Sequence, residues 1–325
     1  MQRADEPRAI VRVAAPRRRQ IVVGATAIAL LALPLVATLG GQPFWITVAT
    51  RILILALVAT SLDFIVGYGG LVSFGHAAYF AAGAYTVAIA AFYGIDSAYI
   101  VWPLAVVAAG LLAAGVGALS LRTSGVFFIM ITLAFAQMLF FLLIGIKYFG
   151  GDDGLSLTAR SSLPPFDLRD PVTYYMVALA AFAAILYLSH RAVHSRFGTV
   201  LRAAKQNERR ATALGFNVYR YRLVAFVLAG AAAGLGGALS ASFERFANPE
   251  MSSWLQSGDL LVMVILGGVG TLLGPLFGAA AFILLQTVLI GLTEHWMVIL
   301  GPVLIAVVLA GRRGIWGLLV GSGDE

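Results

Sequence analysis

Few residues in this chain have side chains able to do chemistry from inside apolar sequence: Asp63, Ser73, His76 and Gln137. Ser73 and His76 stand three positions apart, so on a helix they share a face. The pair reads either as a hydrogen-bonded interior pair or as part of the lining of a substrate path, since polar groups held inside a membrane mark pathways. Asp63 follows Arg51 by twelve residues, about three and a third helical turns, so these two charges do not face each other. Neither Asp63 nor His76 has a metal-ligand partner at a usable spacing. The chain holds no cysteine, which removes disulfides, thiolate metal sites and a Cys nucleophile. It has no Ser-His-Asp or HExxH arrangement and no GxxxxGK[ST] phosphate loop. We therefore expect no catalytic residue, no metal ligand and no cofactor bound by this chain.

A second group of candidates lies in RAVHSRFGTVLRAAKQNERRATALGFNVYRYR, residues 191–222, the only long basic interval between long apolar segments. It holds eight of the 22 Lys and Arg residues and a single acid, Glu208. Thr199 is placed to cap a helix with Val200, Leu201 and Ala204 on one side. Asn207 is placed to cap a second short helix, with Glu208 suited to its positive end and Gly215 to its stop. Such helices lie along the cytoplasmic surface, either on anionic lipid headgroups or docked to a partner.

The elements that must position these residues are membrane spans. Hydrophobic residues make up 60% of the chain and charged ones only 11%, against about 25% charged in a soluble domain. Apolar runs of about 20 residues recur, continuous rather than alternating, which gives an all-α polytopic membrane protein and excludes a barrel. The net charge of +7 sits in short loops beside spans, as an orientation signal rather than a nucleic-acid surface. We expect about ten transmembrane helices with both termini cytoplasmic. The spans fall near 21–39, 46–66, 71–92, 99–119, 125–146, 173–189 and 223–243. A short eighth helix from Asp259, a ninth at 276–292 and a tenth at 296–310 complete the set. The first is uncleaved, because its apolar run is too long for a signal peptide and lacks a cleavage site. The domain scheme is then a basic cytoplasmic tail (1–20), a transmembrane domain (21–311) with an external loop at 147–172 and a cytoplasmic loop at 190–222, and a cytoplasmic tail (312–325). This scheme puts 17 of the 22 Lys and Arg on the cytoplasmic side.

Some spans should be broken at glycine. GYGGLVSFGHAAYFAAGAY, from Gly67, would make a poor lipid-facing helix but suits a helix end or a broken helix packed inside protein. Ser73, Ala77 and Ala81 recur every four residues as a small-residue ridge. GGVGTLLGP, residues 267–275, is a glycine turn between spans eight and nine. Gly230 and Gly234 are spaced as GxxxG, for helix packing. The two glycine clusters at 70–75 and 270–275 echo each other, as structural repeats in transport folds do or as chance would allow.

These segments also carry a resemblance. GYGGLVSFGHAAYFAAGAY resembles the GyaGqlSlGHaaffgiGAY motif of branched-chain amino acid ABC transporter permeases. RTSGVFFIMITLAFAQ, GGDDGL, the block from Ser195 to Leu239 and LVMVILGGVGTLLGPLFGA resemble further motifs of that family, in order. Together they cover roughly residues 45–320 and are similar to the longer of its two permease subunit types. The resemblance implies a membrane subunit of an ATP-driven importer in the bacterial inner membrane. Its implied partners are a sister permease, two ATPase subunits that use ATP and Mg, an extracytoplasmic substrate-binding protein and membrane lipid, with no nucleic acid. It implies a substrate path at Ser73, Gly75, His76, Gly268 and Gly270. It implies ATPase coupling through Asn207, Glu208, Ala211, Leu214 and Gly215, and binding-protein contact at Gly151, Asp152 and Asp153. The chain departs from the family pattern at Asp63, often Asn there, and at Gln137, often Glu. The external loop lacks a Thr before Gly150. Substrates associated with such permeases are branched-chain amino acids, urea, short amides and small acids. A secondary transporter driven by an ion gradient is the alternative; it needs an ionisable relay at the midplane, for which Asp63 and His76 are the candidates.

Overall fold

The computed structural model describes residues 17–292, 298–299, 301–302 and 314–320. In chain order the helices are α1 (Arg17–Leu39), α2 (Phe44–Asp63), α3 (His76–Phe92), α4 (Ala98–Ser120), α5 (Val126–Gly145), α6 (Pro171–Val193), α7 (Arg196–Gln206), α8 (Glu208–Ala213), α9 (Val218–Glu244), α10 (Trp254–Gly267) and α11 (Gly274–Leu292). A short helix at Gly314–Val320 follows. Seven of these (α1, α2, α4, α5, α6, α9 and α11) are long and apolar enough to cross a membrane. The helices α3 and α10 are apolar but shorter. The expected tenth span falls largely outside the described residues, as do the N-terminal tail up to residue 16 and Arg312 and Arg313.

Burial sorts the helices. The α2 span is 89% buried, whereas those of α1 and α5 are 11% and 17% buried. So α2 is the axis of the molecule, and α1 and α5 turn apolar side chains outward. Against α2 pack α6, α9, α10 and α11. The helices α3 and α4 pack on α9, and glycine is what lets them. A Cβ on Gly83 would overlap the Gly234 carbonyl, and one on Gly237 would overlap the Phe80 carbonyl. Gly230 and Gly234 face Ala113 and Ala109 of α4, so the GxxxG pair is a packing seam as expected. Tyrosine hydroxyls pin the outer helices to backbone carbonyls. Tyr174 donates to Leu239 O at 2.6 Å and Tyr175 to Leu30 O at 2.8 Å.

Several boundaries differ from the sequence reading. The helix α3 begins at His76 rather than near 71. Gly70 takes φ +69° and ends the preceding turn, so residues 71–75 run non-helical. The small-residue ridge therefore loses Ser73 and keeps Ala77 and Ala81, both fully buried. The cap of α7 is Ser195, whose Oγ accepts from the Gly198 N–H at 3.4 Å. Thr199 lies inside the helix, because Ser195 offers the same capping chemistry one turn earlier. Val200, Leu201 and Ala204 do share its buried side. The start of α10 is at Trp254, capped by Ser253, five residues before the Asp259 expected from the sequence. Residues 314–320 form a helix packed on α10 and α11, where the sequence suggested only a tail. The loop at 147–172 is tied down by a two-residue antiparallel pairing, Leu155 with Ala247 and Ser156 with Phe246. Arg160 lies over the Tyr174 and Phe243 rings and donates to Leu168 O at 2.9 Å.

Candidate functional site

The two glycine breaks meet. After Asp63 the helix α2 widens into one π-type turn, Phe64–Tyr68, a feature frequent at functional sites. Gly67 in that turn lies so close to Gly270 that a Cβ on Gly67 would come within 2.5 Å of the Gly270 Cα. Gly270, with φ +81°, belongs to the turn between α10 and α11. Its N–H donates to Asp63 Oδ1 at 2.7 Å. Asp63 is 1% exposed, so a charge-capable side chain is spent on joining the two breaks. Lys205 of α7 closes the same cluster, donating from Nζ to Gly67 O at 2.5 Å. A third glycine turn joins at Gly314, where an added Cβ would meet Gly268 N at 2.5 Å.

The residues expected to line a path divide between this cluster and the interior of the bundle. Gly270 belongs to the cluster, and Gly268 packs against Gly314. Ser73, Gly75 and His76 sit apart from it at the start of α3, all buried. Ser73 and His76 do not pair. Ser73 Oγ accepts from the Gly75 N–H at 3.2 Å. His76 Nε2 lies 2.8 Å from Ser61 Oγ, and the Ser61 hydroxyl donates to Val58 O at 2.7 Å. The Ser61 oxygen is then left to accept from His76 Nε2–H. The backbone N–H groups freed by unwinding are met by hydroxyls of other helices. Phe74 N–H donates to Thr132 Oγ1 at 3.3 Å, and Ala77 N–H to Ser257 Oγ at 3.1 Å. A Cβ on Gly75 would crowd Thr132 O at 2.8 Å. This region is a packed broken helix of the kind membranes tolerate inside protein.

Open space lies at the two ends of α2. At the Phe44 end a cavity of about 580 Å³ is lined by Arg51, Phe80, Gln137, Ser240, Glu244, Glu250, Gln256 and Asp259, among others. One guanidinium there faces three carboxylates. At the Tyr68 end a cavity of about 920 Å³ is lined by Arg19, Tyr68, His190, His194, Arg202, Lys205, Gly270 and Thr271, with no carboxylate among the described lining residues. From Arg51 to Gly67 the α2 axis rises about 24 Å. The stretch between is filled by Leu57, Val58, Leu62, Met263 and Val264, all buried in one apolar cluster. The sequence reading named none of Arg51, Glu244, Asp259 or Lys205 as site residues. The signal was there for the first three, as charged side chains within or at the ends of apolar runs. Lys205 had no such mark within a loop of eight cations.

The basic loop is built as two capped helices. Asn207 Oδ1 accepts from the Arg210 N–H at 2.9 Å, and Gly215 stops α8 with φ +88°. Glu208 pairs with Arg222 at 2.8 Å, tying α8 to the second turn of α9. Ala211 is buried with Ala204 and Val218 in a small apolar cluster of its own. Leu214 is 70% exposed at the tip. On the other connection Gly151 is buried, while Asp152 and Asp153 are exposed in a short 3₁₀ turn.

A family model described as branched-chain amino acid transport system permease component matches residues 44–308. The chain is 26% identical over 298 residues to the high-affinity branched-chain amino acid transport system permease protein LivM of Salmonella typhimurium, a match covering 83% of this chain and 69% of the relative. The LivM protein of Escherichia coli matches at 26% identity over 299 residues, with the same coverage. The permease protein LivH of Escherichia coli is 27% identical over 144 residues, 44% of this chain and 46% of the relative. No solved structure matches the chain.

Proposed function

The chain belongs to the branched-chain amino acid transport system permease family, and from that premise we propose that it forms half of the translocation path of an ATP-driven importer. It is a multi-pass permease of the bacterial inner membrane. We assign it branched-chain amino acids or a related small polar solute as substrate, as the names of its relatives suggest. A sister permease supplies the other half, an extracytoplasmic binding protein delivers the solute, and two ATPase subunits drive the cycle. This chain hydrolyses nothing and binds no cofactor; ATP and Mg belong to the ATPases.

The observation that carries this reading is the pair of cavities at opposite ends of α2, separated by an apolar stretch and flanked by hydrogen-bonded helix breaks. A path closed in its middle and open at both ends suits alternating access, in which one set of helices rocks against another. We place the Phe44 end outside and the Tyr68 end inside, because the basic interval at 191–222 then faces the cytoplasm. About ten spans and two cytoplasmic termini follow from the same rule. The outer cavity offers both signs of charge, Arg51 against Glu244 and Asp259, which suits a zwitterionic solute. Asp152 and Asp153 face outward beside it as contacts for the binding protein. Asn207, Glu208, Ala211, Leu214 and Gly215 form the coupling element: Leu214 is an exposed apolar knob on a capped, basic loop, and such a knob needs a partner to cover it. Ser73, Gly75 and His76 hold the broken α3 in place beside the path.

The test is co-purification. Replacing Leu214 and Gly215 with Glu should abolish recovery of the ATPase subunits while leaving membrane insertion unchanged. Full recovery of the ATPases with that variant would remove the coupling assignment.

A further inference from the structure

The cavity at the Tyr68 end carries more positive charge than a path for a zwitterion needs. Arg19 of α1 and Arg202 and Lys205 of α7 set three cations round it, His190 and His194 at the end of α6 lie beside them, and no described lining residue is acidic. Like charges gathered round one space repel, and an anion relieves them. Much of the rest of the wall is apolar, with Val23, Leu186, Leu272 and Trp316 beside the polar Tyr68, Gln206 and Thr271. A water-soluble anion has no use for such a wall, whereas an amphiphile uses both parts.

We propose that this cavity binds one anionic phospholipid, with its phosphate among Arg19, Arg202 and Lys205 and the upper part of its chains against Val23, Leu186 and Trp316. Three further observations support the assignment. The cavity is about 920 Å³, room for a headgroup and the first part of the chains. It opens beside α1, whose Ile21, Ile28 and Leu35 are exposed, so lipid reaches it along the side of the molecule. Arg202 and Lys205 are three apart on α7 and reach one phosphate together. Basic pockets between membrane helices are sites of this kind. Because Lys205 also holds Gly67 O, a lipid here fixes α7 beside the α2 break. The same cavity is the inner end of the proposed solute path, so lipid and solute occupy it in turn; the proposal does not depend on which solute is carried.

The test is native mass spectrometry of the full-length chain released from detergent, after addition of phosphatidylglycerol or phosphatidylcholine. One phosphatidylglycerol should stay bound where phosphatidylcholine does not. The double variant Arg19→Gln/Arg202→Gln should weaken that retention by about tenfold or more. Arg19→Lys/Arg202→Lys, which keeps the charge, should retain it, as should Arg122→Gln, remote from the cavity. Inorganic phosphate at millimolar concentration should not displace the lipid. Equal retention of the two lipids, unchanged retention in the Gln variant, loss of retention in the Lys variant, or displacement by phosphate alone would each overturn the proposal.

Discussion

At Asp63 one carboxylate oxygen holds two chain breaks in register. The Gly270 N–H that it accepts has left the helical ladder and points at a buried carboxyl group. Oδ2 has no partner among the described residues. The role thus needs an acceptor at Oδ1 and no charge. An asparagine supplies that acceptor, whereas an alanine leaves the N–H unpaired at a cost of about 1–3 kcal/mol. We predict that Asp63→Asn keeps wild-type uptake and melting temperature, and that Asp63→Ala lowers both. Equal damage from the two variants would show that the negative charge itself is required. Asp63 stood out in the sequence as an acid inside apolar residues. Its partner, 207 positions later, did not, because a backbone N–H leaves no mark in composition.

The same contrast between visible and hidden partners runs through the elements. Glycines at 67–70 and 267–270 announced breaks, since they release the chain from helical φ. The true start of α3 was hidden because Leu71, Val72 and Phe74 suit a helix. What lets them unwind is a set of hydroxyls on α5 and α10, Thr132 and Ser257, which only folding brings near. The helix α7 was legible from its apolar side, but its link to α2, through Lys205, was not. On the proposed coupling role, that link carries a pull on the basic loop to the α2 break at Gly67. Lys205→Met keeps the apolar stem and removes the donor. We expect ATPase recovery to stay unchanged and uptake to fall about tenfold, equal to about 1.4 kcal/mol of lost coupling. That is the scale of one hydrogen bond to a charged group. Wild-type uptake by Lys205→Met would show that α7 moves the break by some other contact.

For the whole molecule the question is whether the two cavities open in turn. The apolar side chains between them, Leu57, Val58 and Leu62 on α2 with Met263 and Val264 on α10, belong to one packed cluster. Interiors so packed switch between discrete arrangements rather than deform smoothly. On the alternating-access reading proposed above, α2 and α10 separate as units, with the glycine turns at 67–70 and 268–270 as the places where backbone rotates. The absence of cysteine makes this measurable, since a single introduced thiol is the chain's only target. Ser240→Cys lines the Phe44-end cavity and Thr271→Cys the Tyr68-end cavity. In the assembled complex at rest, a membrane-impermeant thiol reagent added outside should modify Ser240→Cys and spare Thr271→Cys; added inside, it should do the reverse. Trapping the ATPases in their closed state should raise labelling at one position while lowering it at the other, because one packed septum cannot open both ways at once. Simultaneous labelling of both positions from one side would mean a continuous pore, and the alternating-access reading of the two cavities would fall.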